Sequence, residues 1–160
     1  MTIKADIKSE NNNTTQKQIN KQSSSGTQTE LVTDAVICLP DKVRRILNRL
    51  HAYGYEAYAV GGCIRDSLLG RTPEDWDITT SAVPAQVKEL FPRTVDTGLQ
   101  HGTVTVLDGR EGFEVTTYRI DGEYTDGRHP KEVMFTPSLL EDLARRDFTI
   151  NAMAYNEQQG

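Results

Sequence analysis

The chain is short of the features that mark several protein classes. Only two of its 160 residues are cysteine, Cys38 and Cys63, and neither stands at a disulfide or metal-ligand spacing. That argues against a disulfide framework or a cysteine zinc site, and makes a reducing cytoplasm the expected compartment. No apolar run approaches the roughly 20 residues of a membrane-spanning helix, so no membrane partner is expected. The start lacks the apolar core of a signal peptide, and the first arginine is Arg44, which speaks against a transit peptide. Basic charge is also in deficit. The net charge is −5, so the electrostatic footprint of generic nucleic-acid binding is missing.

Hydrophobic residues make up only 36% of the chain, but the shortage is local. Residues 1–30 hold five apolar positions (Met1, Ile3, Ala5, Ile7, Ile19) among runs such as Asn11-Asn12-Asn13 and Ser23-Ser24-Ser25. Such a stretch cannot bury enough surface to offset its conformational entropy, so 1–30 is expected to be a disordered tail. The rest has ordinary globular composition and is read as one domain over 39–160. Residues 31–160 carry 14 Lys and Arg against 20 Asp and Glu, so the acidic excess lies in the domain.

Periodicity supplies the elements. Val43, Ile46, Leu47 and Leu50 recur at helical spacing after Pro40-Asp41, and Gly54 follows as a stop. Tyr55–Val60 reads as a strand running into Gly61-Gly62, and 63–69 as a helix closed by Gly70. Asp75–Thr79 reads as a strand. Pro84–Phe91 reads as a helix capped by Ser81 or a neighbour and ended by Pro92. Thr103–Leu107 and Phe113–Ile120 suggest a hairpin turned at Asp108-Gly109. Residues 121–137 lack periodicity and are expected to form a long loop. Ser138 and Glu141 fit a capping box, with a helix running on through the arginines, and Thr149–Tyr155 reads as a second helical stretch. The succession implies a small α+β domain.

Four constellations carry chemistry. Gly61-Gly62-Cys63-Ile64-Arg65-Asp66 joins a strand to a helix; its backbone N–H groups and Arg65 suit a phosphate, although an ordinary tight turn has the same composition. Asp75-Trp76-Asp77, read as strand, puts two carboxylates on one face, where they suit a divalent cation or are simply solvated acids around an inward Trp76. Alternation puts Glu114, Thr116 and Tyr118 on one face of the later strand. Should that strand adjoin the aspartates, Glu114 becomes a third carboxylate. Arg145-Arg146-Asp147-Phe148-Thr149-Ile150-Asn151-Ala152-Met153-Ala154 suits triphosphate and ribose, with Phe148, Ile150 and Met153 directed to a core; the alternative is a cluster of helix-end ion pairs.

The ordered combination resembles the nucleotidyltransferase superfamily that includes DNA polymerase beta. Gly61-Gly62-x-x-Arg65-Asp66-x-Leu68-Leu69-Gly70 with Asp75-x-Asp77-Ile78 is similar to the signature of bacterial CCA-adding enzymes and the related poly(A) polymerases. Arg145–Ala154 resembles their ribose-recognition motif. The resemblance implies a head domain with a small mixed sheet flanked by helices. It implies Mg²⁺ held by Asp75 and Asp77, with Glu114 as metal support or general base. Gly61, Gly62, Arg65 and Arg146 would contact the nucleotide, with Asp147 and Asn151 positioning the ribose or local backbone. Residues 121–137, including Asp126 and Arg128, resemble a mobile loop used in switching from C to A. The implied substrates are CTP, ATP and the 3′ end of tRNA.

Gly98-x-x-His101-Gly102-Thr103 resembles the CCA-adding enzymes, whereas bacterial poly(A) polymerases carry a basic segment there. Such relatives continue beyond the ribose motif into base-selecting and RNA-gripping segments. The expectation is therefore a truncated head that does not complete CCA addition alone. Poly(A) addition and a non-catalytic nucleotide-binding fragment are the alternatives. An Asp-x-Asp glycosyltransferase would leave the Gly-Gly-x-x-Arg turn unexplained.

Overall fold

In the computed structural model, the residues described are 37–121 and 133–159. The chain enters through helix α1 (Asp41–Ala52), whose Val43, Ile46, Leu47 and Leu50 form one buried stripe. Strand β1 (Ala57–Val60) is buried along its whole length and runs straight into α2 (Gly62–Leu68). Then come β2 (Asp77–Thr80), α3 (Pro84–Leu90), β3 (Thr94–Gly98), β4 (Thr103–Asp108) and β5 (Glu111–Thr117). After β6 (Arg119–Asp121) and β7 (Val133–Phe135), α4 (Leu139–Ala144) and β8 (Ala154–Tyr155) complete the series.

Six strands form one mixed sheet in the order β3-β4-β5-β2-β1-β8. Its central pair, β2 and β5, is parallel and sets Ile78 beside Val115; the other neighbours are antiparallel. Ile78, Val104, Val106 and Val115 join the α1 and α3 stripes in the core. By the two-residue period of strands, Asp77, Thr79, Thr103, Thr105, Glu114 and Thr116 take the other face. The sheet thus has an oily side covered by helices and a polar side. Thr103 and Thr116 share a hydroxyl–hydroxyl bond across β4 and β5 at 2.9 Å, as do Thr97 and Thr105 across β3 and β4 at 2.8 Å.

Several expectations are corrected. The second strand starts at Asp77 rather than Asp75, because the ladder with β1 begins at Val60 and Asp77. Ser81 does not cap α3; its hydroxyl accepts from Glu56 N at 2.9 Å, while Gln86 Oε1 accepts from Val83 N at 2.9 Å. The hairpin's second strand stops at Thr117. Tyr118 follows it, fully buried, with its N–H donated to Thr80 O at 2.8 Å. Part of the expected loop is strand, since β6 and β7 pair as a separate antiparallel sheet. Ser138 Oγ does accept from Glu141 N, at 3.3 Å, but the Glu141 carboxylate takes the Thr136 hydroxyl instead of closing the box. The helix ends before Arg145, and Thr149–Tyr155 is not a helix: a 3₁₀ turn over Thr149–Asn151 precedes β8. The expected tail, 1–30, and the loop residues Asp126 and Arg128 lie outside the described residues.

Candidate active site

Asp75, Asp77 and Glu114 line one cavity of about 710 Å³, together with Glu74, Trp76, Thr105 and Glu111. Parallel pairing of β2 with β5 brings this about. Asp77, the first residue of β2, and Glu114, inside β5, each precede a registered residue, Ile78 and Val115, so they stand at matching heights on adjacent strands. Asp75 reaches the cavity from the irregular chain before β2, with Trp76 packed against the core. Among the described residues, no three His, Cys, Asp or Glu converge as a ready-made metal cage. Glu114 therefore shares the cavity without completing a three-ligand cluster.

Asp77 has the most informative electrostatics. Its pKa is raised, chiefly by partial desolvation; Arg146 pulls it down and Asp75 pushes it up. Two crowded carboxylates offering only oxygen donors are the donor set a hard divalent cation takes, leaving other positions to water and phosphate. The residues present fit such an ion.

The turn after β1 does not line this cavity, but it follows Val60, which pairs with Asp77. Gly61 has φ +84°, a conformation that side chains strain to adopt, and its N–H donates to Met153 O at 2.9 Å. A Cβ there would lie 3.6 Å from Asn151 O and 3.9 Å from Arg146 Nη1. The glycine turn and the arginine-containing segment thus form one unit. Arg65 joins them by a second route: its Nη1 donates to Asn151 Oδ1 at 2.9 Å, and Nε donates to Asp66 Oδ1 at 2.9 Å. The Arg65 pairing holds the Asp66 carboxyl below its usual range. Asp147 is exposed.

Two parts of this segment depart from expectation. Phe148 and Ile150 do not face the core but are 78% and 51% exposed, and only Met153 packs inward. Phe148 has φ +58°, and no other non-glycine among the described residues has a positive φ. This turn is tied to Gly61 and Arg65 through backbone and Asn151, so it does not follow the helical period that would have directed Phe148 and Ile150 inward.

Sequence reasoning missed Asp142. Its carboxylate is completely buried and takes hydrogen bonds from Thr79, the Arg119 backbone, Arg145 and Arg146. The signal was its spacing, three and four residues before the arginines, which puts all three on one side of a helical turn.

The parallel β2–β5 pair, its acidic end and the glycine turn define a nucleotidyltransferase head fold. A family model for the poly A polymerase head domain matches residues 57–160, and the chain belongs to that family. It is 59% identical over 109 residues to the CCA-adding enzyme of Lactiplantibacillus plantarum, an alignment covering 68% of this chain and 27% of that protein. The CCA-adding enzyme of Limosilactobacillus fermentum is 54% identical over 117 residues, covering 73% and 29%. The structure is similar to that of the Bacillus stearothermophilus CCA-adding enzyme in complex with CTP, with a TM-score of 0.63 and 47% identity. That match covers 71% of this chain and 27% of the other. The chain spans between a quarter and a third of the length of these relatives.

Proposed function

We propose that this chain supplies the catalytic head of a CCA-adding tRNA nucleotidyltransferase, transferring CMP and AMP from CTP and ATP to a tRNA 3′ end in the cytoplasm. The observation that carries the reading is the meeting of two motifs distant in sequence. The acidic pair faces a cavity, and Arg146 is close enough to Asp77 to counter part of its desolvation while its guanidinium adjoins Gly61.

In this reading Asp75 and Asp77 hold Mg²⁺, which when bound neutralises the triphosphate and polarises the reacting oxygens. The bare backbone of Gly61-Gly62 admits a triphosphate closely, with Arg65 and Arg146 supplying positive charge. Asn151 and Asp147 orient the ribose or the turn beneath it. Glu114 supports the metal or accepts the proton of the attacking hydroxyl. The RNA 3′-oxygen bonds to the α-phosphorus of the nucleotide, and the bond to the pyrophosphate oxygen breaks. Rate enhancement comes from alignment and charge neutralisation. Asp126 and Arg128, in the segment between β6 and β7, belong to the switching loop.

Titration calorimetry tests the reading. CTP and ATP should bind the chain in Mg²⁺, and the Asp75→Ala/Asp77→Ala variant should lose the Mg²⁺-dependent part. Equal binding by the double variant overturns the metal assignment. Residues 57–160, grafted in place of the matching region of the L. plantarum relative, should sustain CCA incorporation into tRNA lacking it. A graft that adds only repeated AMP would instead indicate poly(A) addition.

A further inference from the structure

Asp142 lies outside the acidic cavity, yet its burial is complete and its partners come from three separate parts of the chain. Oδ2 accepts from Thr79 Oγ1 at 3.0 Å and from Arg146 Nη2 at 3.1 Å. Oδ1 accepts from the Arg119 backbone N–H at 3.2 Å and from Arg145 Nε at 3.0 Å. Each oxygen therefore holds one donor from a strand and one from an arginine. Thr79 is two residues beyond Asp77 on β2, on the same side of the sheet. Arg119 begins β6, whose partner β7 resumes the chain after 122–132.

We propose that Asp142 is a positioning residue: its carboxylate fixes the Arg146 guanidinium at the Gly61 turn, in register with the strand that bears Asp77. The proposal rests on the reading above, in which Arg146 contacts the incoming nucleotide. A buried carboxylate is costly without partners, so its four donors hold as a set. An arginine reaching from a short helix end would otherwise sample many rotamers. One Nη on Asp142 and the other 3.9 Å from where a Gly61 Cβ would lie restrict those choices. The same carboxylate ties in β6, so the root of the 122–132 segment shares a reference point with Arg146.

The test uses the whole chain, with Asp142→Asn and, as a milder variant, Thr79→Val. Two readouts are taken: CTP affinity in Mg²⁺, and the heteronuclear NOE of the Arg146 Nε–H group, with Arg44 as a surface control. In D142N, CTP affinity should fall about tenfold or more and the Arg146 signal should become mobile, while Arg44 is unchanged. T79V should act in the same direction, weakening binding about threefold. In an Arg146→Ala background, D142N should cause no further loss of affinity, which a general structural role would not produce. An Arg146 signal equally rigid in folded D142N, or an undiminished D142N effect without Arg146, overturns the proposal. Should D142N not fold, a rigid Arg146 in T79V overturns it. If the wild type binds neither CTP nor ATP, the nucleotide reading falls, and the Arg146 NOE decides the positioning claim by itself.

Discussion

Asp77, at the start of β2, and Glu114, inside β5, stand at matching heights on parallel neighbouring strands, one residue ahead of the registered pair Ile78 and Val115. Strand pairing, and not a local motif, makes these acids neighbours. The pKa of Asp77 is raised, chiefly because partial burial costs its charged form solvent, with Arg146 opposing the shift and the Asp75 carboxylate adding to it.

That cost is measurable. An acid whose folded pKa lies above its unfolded value destabilises the fold when ionised; the cost is absent below the unfolded pKa and full above the folded one. Asp77→Asn should therefore raise the urea midpoint at pH 7, with the gain disappearing below about pH 4. Mg²⁺ should raise the thermal midpoint of the wild type more than that of the variant, as measured by calorimetry.

Asp142 should show the opposite dependence. Burial pushes its pKa up, but Arg145, Arg146 and the Arg119 backbone overcome this and leave it below the usual carboxylate range. Its contribution is thus present above the unfolded pKa and lost as pH falls through the lower, folded value. The stability advantage of the wild type over Asp142→Asn should be full at pH 6 and shrink below about pH 4. Asp142→Ala, which strands two arginines, should cost about 3–5 kcal/mol in urea denaturation at pH 7.

The two glycines of the turn should respond differently. Gly61→Ala forces a side chain onto φ +84° and should cost about 1–2 kcal/mol. Gly62 opens α2, and a Cβ there would meet Arg65 only at 3.5 Å. Gly62→Ala should leave stability within about 0.5 kcal/mol while weakening CTP binding, which denaturation and calorimetry separate.

Gly102→Ala tests how β7 rests on the main sheet. A Cβ at Gly102, where φ is +78°, would lie 2.6 Å from Phe135 Cε1. Overpacking of this kind costs about 1–3 kcal/mol. Phe135→Ala should relieve part of it, so the double variant should be more stable than the sum of the single losses predicts. Additive losses would mean the ring gives way freely.

Much of the architecture was legible because it rests on local periods. The α1 stripe, the strand into Gly61-Gly62, and the Asp77 and Glu114 strands all carried their signals within a few residues. What was hidden depends on distant partners. Thr94–Gly98 is mostly exposed, so β3 has no apolar alternation to announce it. Ala154-Tyr155 becomes strand only because β1 offers an edge, and a short sequence window sees helical composition there instead. In the site, the residue types were readable, but the burial of Asp142 and the exposure of Phe148 and Ile150 were not, since both follow from tertiary fastening.

The pairing of β8 with β1 also bears on how the molecule comes into being. Asn156 Nδ2 donates to the Ala57 carbonyl across 99 residues of chain, and Gly61 waits on Met153 for its partner. A ribosome delivers the acid-bearing strands well before Arg146 and β8 emerge. For that interval a nascent chain presents Asp77 without Arg146 to balance it, and an uncovered β1 edge. Long-range closure of this kind is slow, and it is the closure that joins the glycine turn to the segment bearing Arg146.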